Sequence, residues 1–196
     1  MKGTVIVFAR APRLGTVKRR LACDIGDRAA LRFHLATLLR LLRGLAADPR
    51  LRTVLAMTPD QARFRLPLRV ARIGQGAGDL GVRMHRAFHR FPHARVALIG
   101  CDIPDAGPPD ARAAFRALGS AQAAFGPAAD GGYWLVAMSP RRPARPFARV
   151  RWSTECALAD TLANFAGRRV ALLRTLHDVD TAEDWRRTHR AKLRWR

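Results

Sequence analysis

Long apolar runs are missing from this 196-residue chain. None approaches the roughly 20 residues needed to cross a bilayer, so no membrane span is expected. The start, Met1-Lys2-Gly3-Thr4, leads straight into a β-branched run and does not read as a signal peptide. Cysteine is scarce: Cys23, Cys101 and Cys156 stand far apart. No Cys-x-x-Cys pair occurs, and the count is odd, so neither a zinc ribbon nor a disulfide framework is indicated. A reducing cytoplasm fits this pattern best. Lysine is nearly absent. Of 36 basic residues only Lys2, Lys18 and Lys192 are lysine, and the rest are arginine. Acidic residues number 15, which leaves a net charge of +21. There is no internal repeat, low-complexity tract or interdomain linker, so residues 1–196 read as one domain.

A charge of +21 would suit a nucleic-acid binder. The arginines, however, are scattered over every segment rather than gathered in one tail or helix. They read as solvated positions filled with arginine, and nucleic acid is not the expected partner. An attraction to anions, phosphorylated substrates included, follows on either reading.

What the chain does have is alternation. Thr4–Ala9, Thr53–Met57, Leu68–Ile73, Arg95–Ile99, Ala121–Phe125, Tyr133–Met138 and Arg169–Leu173 read as strands. Between them lie helical patterns. A short helix follows the first loop. Asp27 is placed to cap a second with Leu31, Leu35, Leu38, Leu42 and Leu45 along one face. A third carries Leu80, Met84, Phe88 and Phe91. A fourth runs from Pro108-Pro109 to about Leu118. A fifth holds Leu158, Leu162 and Phe165. Asp180 or Thr181 caps a last one that includes Trp185. This order predicts an α/β sandwich around a largely parallel sheet.

The segment Arg95 to Pro104 organises the rest. An apolar run breaks at Gly100, Asp102 follows, and Pro104 closes the loop. A carboxylate at the carboxyl end of a buried strand sits where open α/β sheets bind ligands. Taken alone it serves equally well as a loop carboxylate bonded to backbone. Asp178-Val179-Asp180 supplies a second acidic cluster after the last strand. Two carboxylates plus substrate phosphates would suit Mg²⁺, while Asp180 also fits a helix cap.

The loop after the first strand, Arg10 to Leu21, contains Gly15 for a tight turn and Arg13 and Lys18 for phosphate contact. It lacks the Gly-Lys-[Ser/Thr] ending of a Walker A loop and is equally readable as a basic surface turn. Asp130-Gly131-Gly132 is a hairpin signal, and also a wall that lets a ligand approach the backbone. Ser153 and Thr154 can cap the helix behind them. His85 and His89 lie four apart without a third ligand nearby.

Together these stretches resemble one family. Its blocks match Phe8 to Leu21, Gln75-Gly76 with Asp79 to Met84, Gly100 to Pro104, Gly126 to Leu135, Trp152-Ser153-Thr154 and Asp178 to Thr181. The chain is similar to glycosyltransferase-A-like transferases of uncertain substrate, relatives of 2-phospholactate guanylyltransferase in the nucleotide-diphospho-sugar transferase superfamily. The resemblance implies a three-layer Rossmann-like sandwich with a mixed, mainly parallel sheet. It implies a transferase that binds a nucleotide or nucleotide sugar and a small-molecule acceptor. It places nucleotide contacts at Arg13, Gly15, Lys18, Arg20, Gln75 and Gly76. Acceptor contacts fall at Asp130, Gly131, Gly132, Ser153 and Thr154. Asp102 and Asp180 would hold Mg²⁺ or Mn²⁺, and Lys18, Asp102 and Asp130 form the catalytic set. The family loop runs Pro-Gly-x-Val-Lys-Thr-Arg-Leu. Here Leu14 replaces its proline and Arg19 its threonine, so position 19 brings no hydroxyl. Glycosyl and nucleotidyl transfer both stay open, as does a nucleotide-binding protein without turnover.

Overall fold

Among the described residues, seven short strands and six helices alternate along the chain, as the apolar periodicities predict. The computed structural model describes residues 2–193. The strands are β1 (Gly3–Arg10), β2 (Leu51–Thr58), β3 (Ala71–Gly74), β4 (Val96–Gly100), β5 (Ala123–Pro127), β6 (Tyr133–Met138) and β7 (Val170–Leu172). The helices are α1 (Arg19–Ile25), α2 (Asp27–Ala47), α3 (Leu80–His89), α4 (Pro108–Ala117), α5 (Ala157–Ala163) and α6 (Ala182–Leu193).

One seven-stranded sheet has the order β3-β2-β1-β4-β6-β5-β7. Only β6 runs antiparallel to its neighbours, β4 and β5. The mixed, mainly parallel sheet is therefore as expected. Strand side chains alternate between two faces. Val5, Val7, Leu55, Ile99 and Leu135 face α2 and α4, meeting Leu38, Leu42, Leu45 and Ala114. Ile6, Val54, Leu98, Phe125 and Val136 face the other way, onto Met84 and Phe88 of α3 and onto Phe165. Phe125 is fully buried, with Tyr133 and Phe165 edge-on at 5.3 and 5.5 Å. Its truncation to Ala would cost about 3–5 kcal/mol. A third cluster joins Leu21 of α1, Ala30 of α2 and Val179. It ties the segment before α6 to the first loop.

Several boundaries differ from expectation for local reasons. Gly26, with φ of 82°, turns the chain directly from α1 into α2. Asp27 is therefore the first residue of α2 rather than its cap, where it still favours the helix dipole. Phe91 lies past the end of α3, folded back by a bond from its N–H to Phe88 O. Strand β5 starts two residues later, because Gln122 pairs with Arg169 instead. The last helix is capped by Thr181: its hydroxyl accepts from Asp184 N–H, and the Asp184 carboxylate accepts from Thr181 N–H. Asp180 is left free of that duty.

The arginines lie on both sides of the sheet, for example Arg28, Arg32 and Arg43 on α2 and Arg83 and Arg86 on α3. Many have structural work. Arg142 donates to Phe88 O, Phe91 O, Pro92 O and Ala94 O, closing the end of α3. Among the described residues no helix is long and apolar enough to cross a membrane.

Candidate functional site

The carboxyl ends of β1 and β4 open into a cleft with two halves that share Asp102. One half, about 550 Å³, is basic and lies beside the first loop. The other, about 390 Å³, is lined by aromatic rings and lies towards β6. Strand β4 delivers Asp102 to the junction because its apolar run, buried on both faces, must end where the chain leaves the sheet. This is the end of the sheet at which a parallel arrangement gathers its loops.

Lys18 dominates the basic half. Its backbone is left-handed (φ 47°, ψ 47°), a conformation uncommon outside glycine. That turn carries the side chain inward, where 4% of it is exposed. Its ammonium donates to Asp180 Oδ1 at 2.8 Å and lies 3.3 Å from Asp102 Oδ2. Burial works against the charge on Lys18, but Asp102 and Asp180 outweigh it and raise its pKa. Arg20 donates to the other oxygen of Asp180.

Asp102 is half exposed towards the cleft. Its crowded inner side opposes ionisation, yet His34 and Lys18 hold its carboxyl well below the usual carboxylate range. His34 is buried, with Nδ1 3.7 Å from Asp102 Oδ1 and Nε2 3.0 Å from Arg10 O. A carbonyl only accepts, so Nε2 carries a proton and Nδ1 faces the carboxylate. The Cys101 thiol donates to Asp102 Oδ1 at 3.5 Å. Burial first, then the neighbouring Asp102 charge, pushes that thiol well up. It is therefore kept as a thiol, not a nucleophile.

The donor set fits a divalent cation. Asp102 and Asp180 already share one positive charge, the Lys18 ammonium, which marks where a cation is welcome. Carboxylate oxygens are the ligands that hard cations take. His34, Cys101 and Asp102 also bring one ligand atom each to within 4.8 Å of one another.

Among the remaining nucleotide-side candidates, Gln75 reaches the basic half. Its amide N–H groups donate to Ala9 O and Ala56 O, at 3.1 and 2.9 Å, so its amide oxygen is what it offers the cavity. Arg86 steadies the loop beyond by donating to Gln75 O and Ala77 O. Arg13, Gly15 and Gly76 do not line the cleft. Arg13 is exposed and its carbonyl shapes the loop by accepting from Thr16. The Gly76 N–H donates to Asp60.

The aromatic half gathers Asp130, Gly132, Ser153 and Thr154 with Tyr133, Trp134 and Trp152. Asp130 sits in the β5–β6 turn, where its Oδ1 accepts from Gly132 N–H at 2.9 Å. Gly131 (φ 84°) does not line the cavity but allows the assembly. A Cβ there would stand 2.1 Å from Glu155 O, so only glycine lets this turn pack against the Ser153–Glu155 segment. Thr154 is engaged locally, its hydroxyl donating to Arg151 O. Asp178 joins this half, its carboxyl pushed up by burial and then by Asp180 and Asp130.

Sequence reasoning missed His34, Arg10, Cys101 and the tryptophans as cleft residues. His34 had a signal: it lies four residues before Leu38, on the stripe that α2 buries. His85 and His89 lie with ring centroids 4.0 Å apart and tilted on α3, and no third ligand joins them among the described residues.

A protein-family model described as "Uncharacterized protein conserved in bacteria (DUF2064)" matches residues 34–154, more than half of the chain. The chain belongs to this family. No curated protein matches it. Solved structures do, and they are nucleotide-diphospho-sugar transferase-like proteins. A Desulfovibrio desulfuricans G20 protein, provisionally named a nucleotide-diphospho-sugar transferase, superposes with a TM-score of 0.89 at 28% identity. The match covers 97% of this DUF2064 chain and 88% of that one. Rv0371c of Mycobacterium tuberculosis H37Rv, solved as a manganese complex, gives 0.58 at 20% identity over 95% and 97% of the two chains. The 4-diphosphocytidyl-2C-methyl-D-erythritol synthase of Anaerococcus prevotii DSM 20548 gives 0.59 at 11% over 93% and 94%. These last two share the fold.

Proposed function

We propose that this DUF2064 protein is a cytoplasmic, metal-dependent transferase that acts on a nucleotide-activated substrate. The observation that carries the reading is the divided cleft. A basic half and an aromatic half meet at one ionised carboxylate, Asp102, where a phosphate-borne reaction centre needs a counter-charge on one side and a partner on the other.

In this reading the basic half takes the nucleotide. Lys18 and Arg20 neutralise phosphate oxygens, and the Gln75 amide oxygen meets a donor on the base or ribose. Asp102 and Asp180 hold Mg²⁺ or Mn²⁺, which supplies charge neutralisation on the leaving diphosphate. The manganese found with Rv0371c supports that choice. The aromatic half takes the acceptor, with Asp130 and Ser153 orienting its hydroxyl. Two reactions fit. In nucleotidyl transfer the acceptor oxygen bonds to the α-phosphorus and pyrophosphate leaves. In glycosyl transfer it bonds to the sugar carbon and a nucleoside diphosphate leaves. In both, the acceptor proton departs to a base or to water.

The test is a thermal-shift panel of nucleoside triphosphates and nucleotide sugars, with and without Mn²⁺. A ligand held by the folded state raises the midpoint. At least one nucleotide is expected to do so with Mn²⁺, and Asp102→Ala is expected to abolish the Mn²⁺-dependent part while remaining folded. A panel without any shift overturns the reading.

A further inference from the structure

The two halves of the cleft differ in charge in a way the composition does not foreshadow. The chain carries 36 lysines and arginines against 15 acidic residues. Yet no Lys, Arg or His is found among the described residues lining the aromatic half, which presents Asp102, Asp130 and Asp178. Lys18 serves Asp102 from the basic half. Neither Asp130 nor Asp178 forms an ion pair among the described residues, and the charge that reaches Asp178 is that of Lys18, already engaged by Asp102 and Asp180.

Arginines close by in the chain are held elsewhere. Arg83 donates to Gly78 O at 2.7 Å, Arg151 to Asp160 at 2.8 Å and Arg174 to Asp110 at 2.7 Å. An anionic group seated here would face three carboxylates, with the already engaged Lys18 as their shared counter-charge. A cationic one would supply what the cavity lacks. The walls agree with this. Trp152 packs edge-on to Tyr133, with ring centroids 6.4 Å apart, and a Cβ on Gly81 would come within 2.8 Å of the Trp152 ring. Aromatic side chains beside carboxylates are the surroundings that organic ammonium groups favour, and an aromatic lining also suits the apolar side of a sugar.

We propose that the aromatic half selects a hydroxylated acceptor that carries an amino group, and discriminates against phosphorylated or carboxylated ones. The word acceptor rests on the transferase reading above, whereas the charge selection does not.

A ring-matched series tests it in the full chain: glucosamine, glucose and glucose 6-phosphate, titrated at fixed ionic strength against tryptophan fluorescence, which Trp134 and Trp152 report from inside the cavity. Glucosamine is expected to bind about tenfold or more tightly than glucose 6-phosphate, with glucose between them. Asp130→Asn/Asp178→Asn is expected to bring glucosamine and glucose close to parity. Asp178→Glu, which keeps the charge, is expected to retain the preference and guards against a misfolded double variant. Glucose 6-phosphate binding as tightly as glucosamine, an unchanged preference in the double variant, or no response to any of the three overturns the proposal. The nucleotide panel is read in parallel. Glucosamine preference without any nucleotide shift overturns the transferase reading and leaves the cation-selective cavity standing. A nucleotide shift with glucose 6-phosphate preferred overturns the cavity proposal alone.

Discussion

Lys18 and Asp180 stand 162 residues apart in the chain and meet at 2.8 Å across the cleft. One comes from the loop after β1, the other from the turn before α6. The contact holds Asp180 beside Asp102 and orients the ammonium that touches both. Lys18→Met should therefore weaken nucleotide binding by about 10- to 100-fold, the range lost with one charged hydrogen bond of ~1.5–3 kcal/mol. Calorimetric titration of the nucleotide that stabilises the wild-type protein, repeated in the variant, measures this. Unchanged affinity would remove Lys18 from the phosphate site.

Asp102 and Lys18 impose opposite pH limits. The folded state lowers the Asp102 pKa from its ordinary 3.8, so its contribution is complete above that value and is lost as pH falls towards the folded one. The folded state raises the Lys18 pKa from 10.5, so its contribution is complete below that value and is lost as pH rises through the folded one. Melting midpoints of wild type and Asp102→Asn should differ by a constant amount between these limits. Solvent screens the exposed side of the carboxylate, which holds the gap to about 2–4 °C. The two curves should converge below pH 4. A gap that stays constant as pH falls below 4 would mean that the ionised form of Asp102 is not what stabilises the fold.

Thr181 caps α6, which leaves the Asp180 carboxylate to Lys18 and Arg20. Thr181→Ala removes the cap of α6 and should cost about 1 kcal/mol, or about 2–4 °C in midpoint, with Mn²⁺ affinity intact. Asp180→Asn should do the reverse, weakening Mn²⁺ binding while the helix keeps its cap. Calorimetric unfolding and Mn²⁺ titration on both variants separate the roles.

Much of this was legible in the chain. The strands announced themselves because a sheet covered on both faces demands unbroken apolar runs, and Tyr133–Met138 is a strand over those residues and no others. The position of Asp102 was legible because a carboxylate two residues after such a run falls at the carboxyl end of the strand. Which of Asp180 and Thr181 caps α6 was not, since both side chains suit the position and the choice is made by Lys18, distant in sequence. His34 was hidden for a related reason. Its stripe on α2 reads as core, and it faces ligand space only because the sheet ends beneath the first turns of that helix. The separation of charge between the two halves is a tertiary property: Arg83, Arg151 and Arg174 lie close in sequence to cavity residues, and only their bonds to Gly78, Asp160 and Asp110 show that they serve elsewhere.

Removing the ammonium of Lys18 has a second consequence that runs against the first. That group occupies the space between Asp102 and Asp180, so a free divalent cation must displace it to reach both carboxylates. Nucleotide phosphates would help by drawing Lys18 towards themselves. Mn²⁺ alone should therefore bind the wild-type protein weakly and bind more tightly once a nucleotide is present. Lys18→Met frees the pair of carboxylates and should tighten Mn²⁺ binding in the absence of nucleotide by about tenfold, or ~1.4 kcal/mol, while losing nucleotide affinity. Electron paramagnetic resonance of free Mn²⁺ follows both quantities in one titration. Weaker metal binding in the variant would show that Lys18 supports the cation site rather than competing for it.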